Sequence, residues 1–243
     1  MHLCTKICFF IGPAGLGICF DAELCVGEDF AVGICIFTPA MAVKTIIFDF
    51  GAVLVDWNPH RLLDKYFGSK EKAQWFIDNI CTTEWNSQMD GGKPFAQGIA
   101  ELSARYPEYA ADIQVYFDRW IEMMGDEIPG MRDLVLELKS RGYRLLGLTN
   151  WSSETFCQVR HRYPVFDLLD GMLVSGEEHL LKPSAAIFQR LTERFGLTPS
   201  ECIFIDDNAA NVEGSIAFGI PAIRFQSAES LRAELRSRGV LPL

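Results

Sequence analysis

Five short apolar runs, each followed by small or polar residues, constrain the fold of this chain more than any other feature. They lie at residues 44–48, 143–148, 171–174, 202–205 and 221–225. Runs of this length and composition are typical of buried parallel strands. Segments with helical character separate them, and glycine follows each; they cover residues 131–139, 184–195 and 209–218. This alternation predicts an α/β fold, a doubly wound, Rossmann-like parallel sheet with helices on both faces.

The connection between the first two predicted strands is unusually long. Residues 58–127 are amphipathic and rich in aromatic side chains, and they exceed any ordinary loop. We interpret them as an inserted helical cap domain, which leaves residues 41–57 and 128–243 as the core domain. Residues 1–40 hold five of the eight cysteines. We expect them to be an N-terminal appendage that is not part of the fold, as a misassigned start codon before Met41 would produce.

The charge balance limits the classes of partner. There are 32 acidic and 22 basic residues, a net charge of -10, and the basic ones form no dense cluster. We therefore expect neither nucleic acid nor an anionic membrane as a partner. The cysteines after residue 40 follow neither zinc-ligand nor disulfide spacing, which favours a reducing compartment and a cytoplasmic location. A small anionic molecule would need only a local positive site.

Polar side chains follow the predicted strands at the ends where a doubly wound fold binds its ligands. They are Asp49, Thr149, Lys182, Asp206 and Asp207. Three carboxylates brought together repel one another unless they bind a divalent cation, and oxygen ligands with room for a substrate phosphate suit Mg²⁺. With the cation present, Asp49 would attack a phosphoryl group to form an aspartyl-phosphate, while Lys182 and Thr149 hold the phosphoryl oxygens.

These segments resemble, in order and spacing, the four motifs of the haloacid dehalogenase-like hydrolases. The resemblance extends over residues 43–225, and the motif residues are Phe48-Asp49-Phe50-Gly51-Ala52-Val53, Leu148-Thr149-Asn150, Lys182-Pro183 and Phe204-Ile205-Asp206-Asp207-Asn208. It implies that Asp49 is the nucleophile and a Mg²⁺ ligand, and that Gly51 gives its backbone carbonyl to the metal.

The same resemblance assigns the remaining site residues. It implies that Thr149, Asn150 and Lys182 bind the phosphoryl group of the substrate. For the further carboxylate ligand of the metal it favours Asp207, with Asp206 as the second choice.

Gly51 departs from the family pattern. Phosphatases of this family usually place a second aspartate two residues after the nucleophile, where it serves as general acid and base. Its absence should slow catalysis or restrict the enzyme to good leaving groups, such as an anomeric sugar phosphate. The stretch 49–57 is also similar to a subgroup that includes an alpha-D-glucose-1-phosphate phosphatase. Asp56, and with less support Glu84 and Asp90, are candidates for supplying the missing acid.

The sequence thus predicts a Mg²⁺-dependent phosphatase that hydrolyses a small phosphorylated metabolite, a sugar phosphate, through an aspartyl-phosphate. Two alternatives stay open. A metal-independent 2-haloacid dehalogenase would also lack the second aspartate, although Asp206 and Asp207 would then have little use. A catalytically weak or silent member would bind a phosphorylated ligand or a protein partner. The substrate and the oligomeric state are not determined by the sequence.

Overall fold

The computed structural model describes residues 5–12, 15–22 and 43–242 of a chain that divides into two compact units, Met1–Met41 and Ala42–Leu243. In the first unit, strands β1 (Thr5–Gly12) and β2 (Gly15–Ala22) pair antiparallel. The other residues before 43 lie outside the described ranges. The interpretation of residues 1–40 as an appendage stays a prediction.

The second unit is built on a five-stranded parallel sheet. The first strand of this sheet is β3 (Thr45–Phe48). A separate antiparallel pair follows in the chain, β4 (Val55–Trp57) with β5 (Met124–Glu127). The other strands of the five-stranded sheet are β6 (Arg144–Thr149), β7 (Gly171–Val174), β8 (Cys202–Asp206) and β9 (Ala222–Arg224). Their order in the sheet is β7-β6-β3-β8-β9. The chain starts at the centre, winds to one edge, and returns to the other side of β3. The predicted doubly wound parallel sheet is confirmed.

Helices fill the long connection between β3 and β6. They are α1 (His60–Phe67), α2 (Lys70–Asn79), α3 (Thr83–Asp90), α4 (Phe95–Arg105) and α5 (Ala110–Asp118). Ser69 and Thr82 begin α2 and α3 by accepting hydrogen bonds from backbone amides of the first turn. The β4–β5 pair joins residues on both sides of the predicted core–cap boundary. The boundary itself, at residues 58 and 127, remains a prediction.

The helices after β5 cover the sheet. They are α6 (Met131–Ser140), α7 (Ser153–Val159), α8 (Ser175–Glu178), α9 (Ala185–Phe195), α10 (Ala209–Phe218) and α11 (Ala228–Ser237), with 3₁₀ turns at Pro107–Tyr109, Trp120–Met123, Pro164–Leu168 and Pro199–Glu201. None of the helices in the described ranges combines the length and apolar character that crossing a lipid bilayer requires.

Both faces of the central strand are buried, which explains its apolar run at residues 46–48. Ile46 and Phe48 belong to the large hydrophobic cluster that includes residues of the inserted helices, whereas Ile47 belongs to a second cluster with α9. Successive side chains of a strand point to opposite faces, so one short run supplies both cores. The first charged side chain after this strand is Asp49, in the loop that follows Phe48.

A close contact between β6 and the loop after β3 fixes the position of that loop. Phe50 is fully buried, and its ring centroid lies 4.6 Å from that of Phe166. A Cβ atom at Gly147 would lie 2.4 Å from two ring atoms of Phe50. Gly147 is therefore required for the ring to pack beside β6, directly after Asp49.

We expect Gly147→Ala to lower the free energy of unfolding by about 1–3 kcal/mol, because the added methyl group forces the Phe50 ring out of its packing. Urea denaturation would measure this change. In a Phe50→Leu background the same substitution should cost less, since the smaller side chain can yield. Equal costs in both backgrounds would contradict the contact.

Candidate active site

The polar residues predicted from the sequence meet at the carboxyl-end edge of the sheet. Asp49 follows β3, Thr149 ends β6 and Asp206 ends β8. β3 and β8 are the neighbours between which the winding of the chain reverses, and ligands bind at this point in open α/β sheets. All three side chains are nearly or fully buried. The fold therefore brings these residues to one place.

Lys182 joins the strand ends. Its Nζ atom lies 2.8 Å from Oδ1 of Asp49 and 2.7 Å from Oδ2 of Asp206. The same ammonium group donates to the carbonyl oxygen of Leu148, at 3.1 Å. The Lys182 side chain is 1 % exposed, so these partners replace the water that a buried charge has lost.

Asp206 is held by further donors. Its Oδ1 accepts hydrogen bonds from the backbone amide of Asn208, at 2.8 Å, and from the side-chain amide of Asn211, at 3.1 Å. Asp207 is more exposed than Asp206. One carboxylate oxygen from each of Asp49, Asp206 and Asp207 lies within 4.8 Å of the others. This spacing allows the three groups to share one cation.

Burial and the neighbouring charges shift the pKa values in this cluster. Burial raises the pKa of Asp49 to about 7, against the lowering effect of Lys182. Burial also raises the pKa of Asp207, and the charge of Asp206 adds to this. For Lys182, burial acts to lower the pKa, but Asp49 and Asp206 together raise it above its ordinary value. The lysine therefore stays charged, and a cation at the carboxylates would favour their ionised forms.

Asn150 contacts the backbone of Lys182. Its Nδ2 donates to the carbonyl oxygen of Lys182 at 3.0 Å, and its Oδ1 accepts from the amide of Lys182 at 2.9 Å. Asn150 thus positions the lysine. Its assigned part in substrate binding remains a prediction, although it also lines the cavity beside the site.

A cavity of about 120 Å³ opens beside Asp49. It is lined by Asp49, Gly51, Trp57, Asn86, Asp90, Trp120, Thr149, Asn150, Trp151 and Thr155. Trp57 lies on β4, Trp120 precedes β5, and Trp151 follows the predicted Thr149-Asn150 motif. The sequence analysis missed these three tryptophans as site residues. For Trp151, its position directly after that motif was the available signal.

The three candidates for the missing acid lie in different places. Asp56 forms an ion pair with Arg61. Glu84 is exposed and lines a separate surface depression. Asp90, at the end of α3, lines the same cavity as Asp49 and Gly51. Of the three, Asp90 alone faces the site.

The sheet, the inserted helices and this cluster define a class of hydrolase. The chain belongs to the haloacid dehalogenase-like hydrolases, whose family model matches residues 43–219. The resemblance found in the sequence motifs is thereby confirmed, and the chain is an enzyme of the hydrolase class.

Individual relatives include phosphatases. The sesquiterpene phosphatase astK of Aspergillus oryzae is 26% identical over 194 residues, 79% of this chain and 95% of that protein. D-ribitol-5-phosphate phosphatase of Bacteroides thetaiotaomicron is 24% identical over 204 residues, 79% and 97% of the two chains. Haloacid dehalogenases also match, over shorter stretches.

A solved structure shows the same fold. It is the haloacid dehalogenase family enzyme BT-2542 of Bacteroides thetaiotaomicron in complex with magnesium and inorganic phosphate. The TM-score is 0.59 at 23% identity, covering 76% of this chain and 96% of that one.

We expect Asn150→Ala to lower the free energy of unfolding by about 1–3 kcal/mol, because the amide and carbonyl of Lys182 then lose their partners in a partly buried position. Chemical denaturation would measure the loss. Asn79→Ala is the matched control, since Asn79 is exposed and bonds only within its own helix. Its effect should stay within about 0.5 kcal/mol. Equal effects would contradict the positioning role of Asn150.

Proposed function

We propose that this hydrolase is a Mg²⁺-dependent phosphatase that cleaves a small phosphorylated metabolite through an aspartyl-phosphate. The observation that carries the proposal is the arrangement around Lys182, whose ammonium group contacts both Asp49 and Asp206. A nucleophilic carboxylate beside a buried positive charge is suited to attack on an anionic phosphoryl group. The similarity to two phosphatases, over 79% of this chain and 95% and 97% of theirs, supports the same reaction.

The donor set fits Mg²⁺. Asp49, Asp206 and Asp207 offer carboxylate oxygens, the hard ligands that this cation prefers, and Asp207 is partly open to solvent. The backbone carbonyl of Gly51 is the fourth proposed ligand. Bound Mg²⁺ would neutralise part of the negative charge shared by the substrate and the carboxylates. The related BT-2542 enzyme was crystallised with magnesium and phosphate.

Each residue has a defined part in the proposed reaction. The Asp49 carboxylate attacks the phosphorus atom, the bond to the leaving oxygen breaks, and an aspartyl-phosphate remains. Lys182 and the Thr149 hydroxyl bind the phosphoryl oxygens, with Asn150 as the further phosphoryl-binding candidate. Water then attacks the phosphorus atom, which releases phosphate and regenerates Asp49.

We infer a sugar phosphate as the substrate class. The cavity beside Asp49 is small and combines three indole rings with the polar side chains of Asn86, Asp90 and Thr155. Aromatic walls with a few placed polar groups suit a ring or chain that carries hydroxyls. D-ribitol-5-phosphate phosphatase is a relative with a polyol substrate in its name. The narrower likeness to an alpha-D-glucose-1-phosphate phosphatase and the cytoplasmic location remain predictions from the sequence.

Phosphate release from a panel of sugar phosphates should require Mg²⁺ and disappear in EDTA. Asp49→Asn should reduce release to background, because the amide cannot act as the nucleophile. Asp133→Asn, an exposed Asp-to-Asn change on α6, is the matched control and should retain native activity. Phosphate release that survives in Asp49→Asn would overturn the assigned nucleophile.

A metal-independent 2-haloacid dehalogenase is the second candidate, favoured by Gly51 and by the dehalogenases among the relatives. The three clustered carboxylates count against it, because displacement of a halide by an aspartate has no need of the other two. The third alternative, a catalytically weak or silent protein that binds a phosphorylated ligand or a partner, is disfavoured because the nucleophile, the lysine and the metal carboxylates are all present.

We expect no chloride release from 2-chloropropionate, with or without EDTA, at protein concentrations that give measurable phosphate release. A chloride-sensitive assay would test this. Chloride release in EDTA, together with no phosphate release from any ester, would replace the phosphatase proposal with the dehalogenase.

A further inference from the structure

Gly51 leaves the proposed reaction without a proton donor next to the nucleophile. A Cβ atom at Gly51 would meet no atom within 4 Å, so open space lies where a side chain would stand. The leaving oxygen of an ester needs a proton unless it is a good leaving group. Another residue at this cavity must supply it if the substrate is an ordinary alkyl phosphate.

Asp90 lies at this cavity. Among the described residues that line it, Asp49 and Asp90 carry the titratable side chains. Asp49 is engaged as the nucleophile of the proposed reaction. Asp90 comes from the inserted helix α3, whereas Asp49 follows the central strand β3. The two carboxyl groups therefore reach one small cavity from different parts of the fold.

Hydrogen bonds hold Asp90 against the loop that follows Thr149. Its Oδ1 accepts from the backbone amide of Ser152 at 3.0 Å, and its Oδ2 accepts from the side-chain amide of Asn86 at 3.0 Å. The hydroxyl of Ser175 donates to its backbone carbonyl at 2.6 Å. Each carboxylate oxygen can accept two hydrogen bonds, so both retain a position for a proton.

We propose that Asp90 is the general acid and base of this enzyme, in place of the carboxyl group that Gly51 lacks; the inference rests on the phosphatase function proposed above. The role comes from its place on the wall of the cavity that holds the nucleophile, and from the contacts that fasten it to the phosphoryl-binding loop.

The protonation of Asp90 agrees with this role. Burial raises the pKa of Asp90 to about 7, although the Ser152 amide, Asn86 and the charge of Lys182 all act to lower it. A group with a pKa near neutrality is present in both its acid and its base form, and can donate and accept a proton in one turnover. A neutral carboxyl group also avoids repulsion of the incoming phosphate.

The proton balance closes over the two steps. In the first, Asp49 bonds to phosphorus, the bond to the leaving oxygen breaks, and that oxygen takes the proton of Asp90 to leave as an alcohol. In the second, the Asp90 carboxylate takes a proton from water as the water oxygen attacks phosphorus. The bond to Asp49 breaks, phosphate is released, and Asp90 is protonated again.

The test compares two esters that differ in leaving group, p-nitrophenyl phosphate and phenyl phosphate, in the Asp90→Asn variant. Asparagine keeps an oxygen for the Ser152 amide, and Asn86 can rotate its amide to accept from it. The hydroxyl of Tyr116, which donates to Asn86, can turn to accept from the rotated amide. The contacts of Asp90 are thus retained, but the asparagine amide cannot transfer a proton to the leaving oxygen. We expect kcat/KM for phenyl phosphate, which reports formation of the aspartyl-phosphate, to fall by about 10²- to 10⁴-fold, and kcat/KM for p-nitrophenyl phosphate to change little. Water attack on the aspartyl-phosphate is common to both esters and also uses Asp90, so kcat falls for both. Glu84→Gln, an exposed change on the same helix, should leave both rates as in the native protein.

A second variant tests the same idea by gain of function. Gly51→Asp in the Asp90→Asn background places a carboxyl group in the open space at residue 51, and should recover part of the lost phenyl phosphate hydrolysis. A merely structural role of Asp90 would lower kcat/KM equally for both esters and would not be rescued by Gly51→Asp.

The outcomes separate this inference from the proposed function. Native turnover of p-nitrophenyl phosphate that requires Mg²⁺ and Asp49 supports the phosphatase, whatever Asp90→Asn does. Equal losses of kcat/KM on both esters, or no loss on either, would then overturn the role of Asp90 alone. A native protein that releases phosphate neither from these two esters nor from any sugar phosphate in the presence of Mg²⁺ would overturn the proposed function and the role of Asp90 together.

Discussion

The buried ammonium group of Lys182 is the interaction on which the rest of the site depends. It contacts carboxylates that follow β3 and end β8, and a carbonyl oxygen of β6, and so joins the three central strands at one atom. Loss of one partner from a buried ion pair costs about 3–5 kcal/mol, because the other charge stays buried without compensation. The same geometry that makes the cluster costly to disturb keeps Asp49 beside a positive charge. Both the stability of the fold and the proposed reaction therefore require a positively charged side chain at residue 182.

Polar contacts join the insertion between β3 and β6 to the residues that follow β6 and β7. The backbone amide of Phe95 donates to Glu154 at 2.8 Å, and the hydroxyl of Tyr163 donates to the carbonyl of Gly125 at 2.7 Å. The hydroxyl of Ser175 contacts the backbone of Asp90 in the same way. Asp90 lines the cavity, so the contact with Ser175 holds one cavity residue of the insertion against the core. Asp90, proposed to face the leaving group, and Thr149, proposed to bind the phosphoryl group, come from separate stretches of the chain.

Helices and strands whose signal lies in neighbouring residues were predicted well, whereas contacts between distant residues were not. The helix 209–218 and the strand 171–174 have the predicted bounds, and the other strands of the sheet differ by one or two residues at their ends. The β4–β5 pair was missed, because its strands are short and lie on either side of a long insertion. Such a pair is formed by contacts between residues far apart in the chain, and the hydrophobic periodicity of the sequence does not reveal these contacts. Asn150 was assigned to the substrate, whereas its visible partner is the backbone of Lys182, which a linear motif cannot show.

The sequence by itself determined the parallel sheet, the family, and the gathering of Asp49, Thr149, Asp206 and Asp207, because parallel strands place their carboxyl ends at one edge. Lys182 was also expected at a strand end, but it follows β7 only after the short helix α8, and its place beside Asp49 comes from the tertiary structure. It also showed that residue 51 is a glycine, where phosphatases of this family usually have an aspartate that serves as general acid and base. Only the tertiary structure decided which distant side chain stands near that gap. Asp56 pairs with Arg61, Glu84 faces outward, and Asp90 lines the cavity with Asp49. Which of these carboxyl groups reaches the cavity depends on how the inserted helices pack against the core, and the sequence pattern does not show this packing.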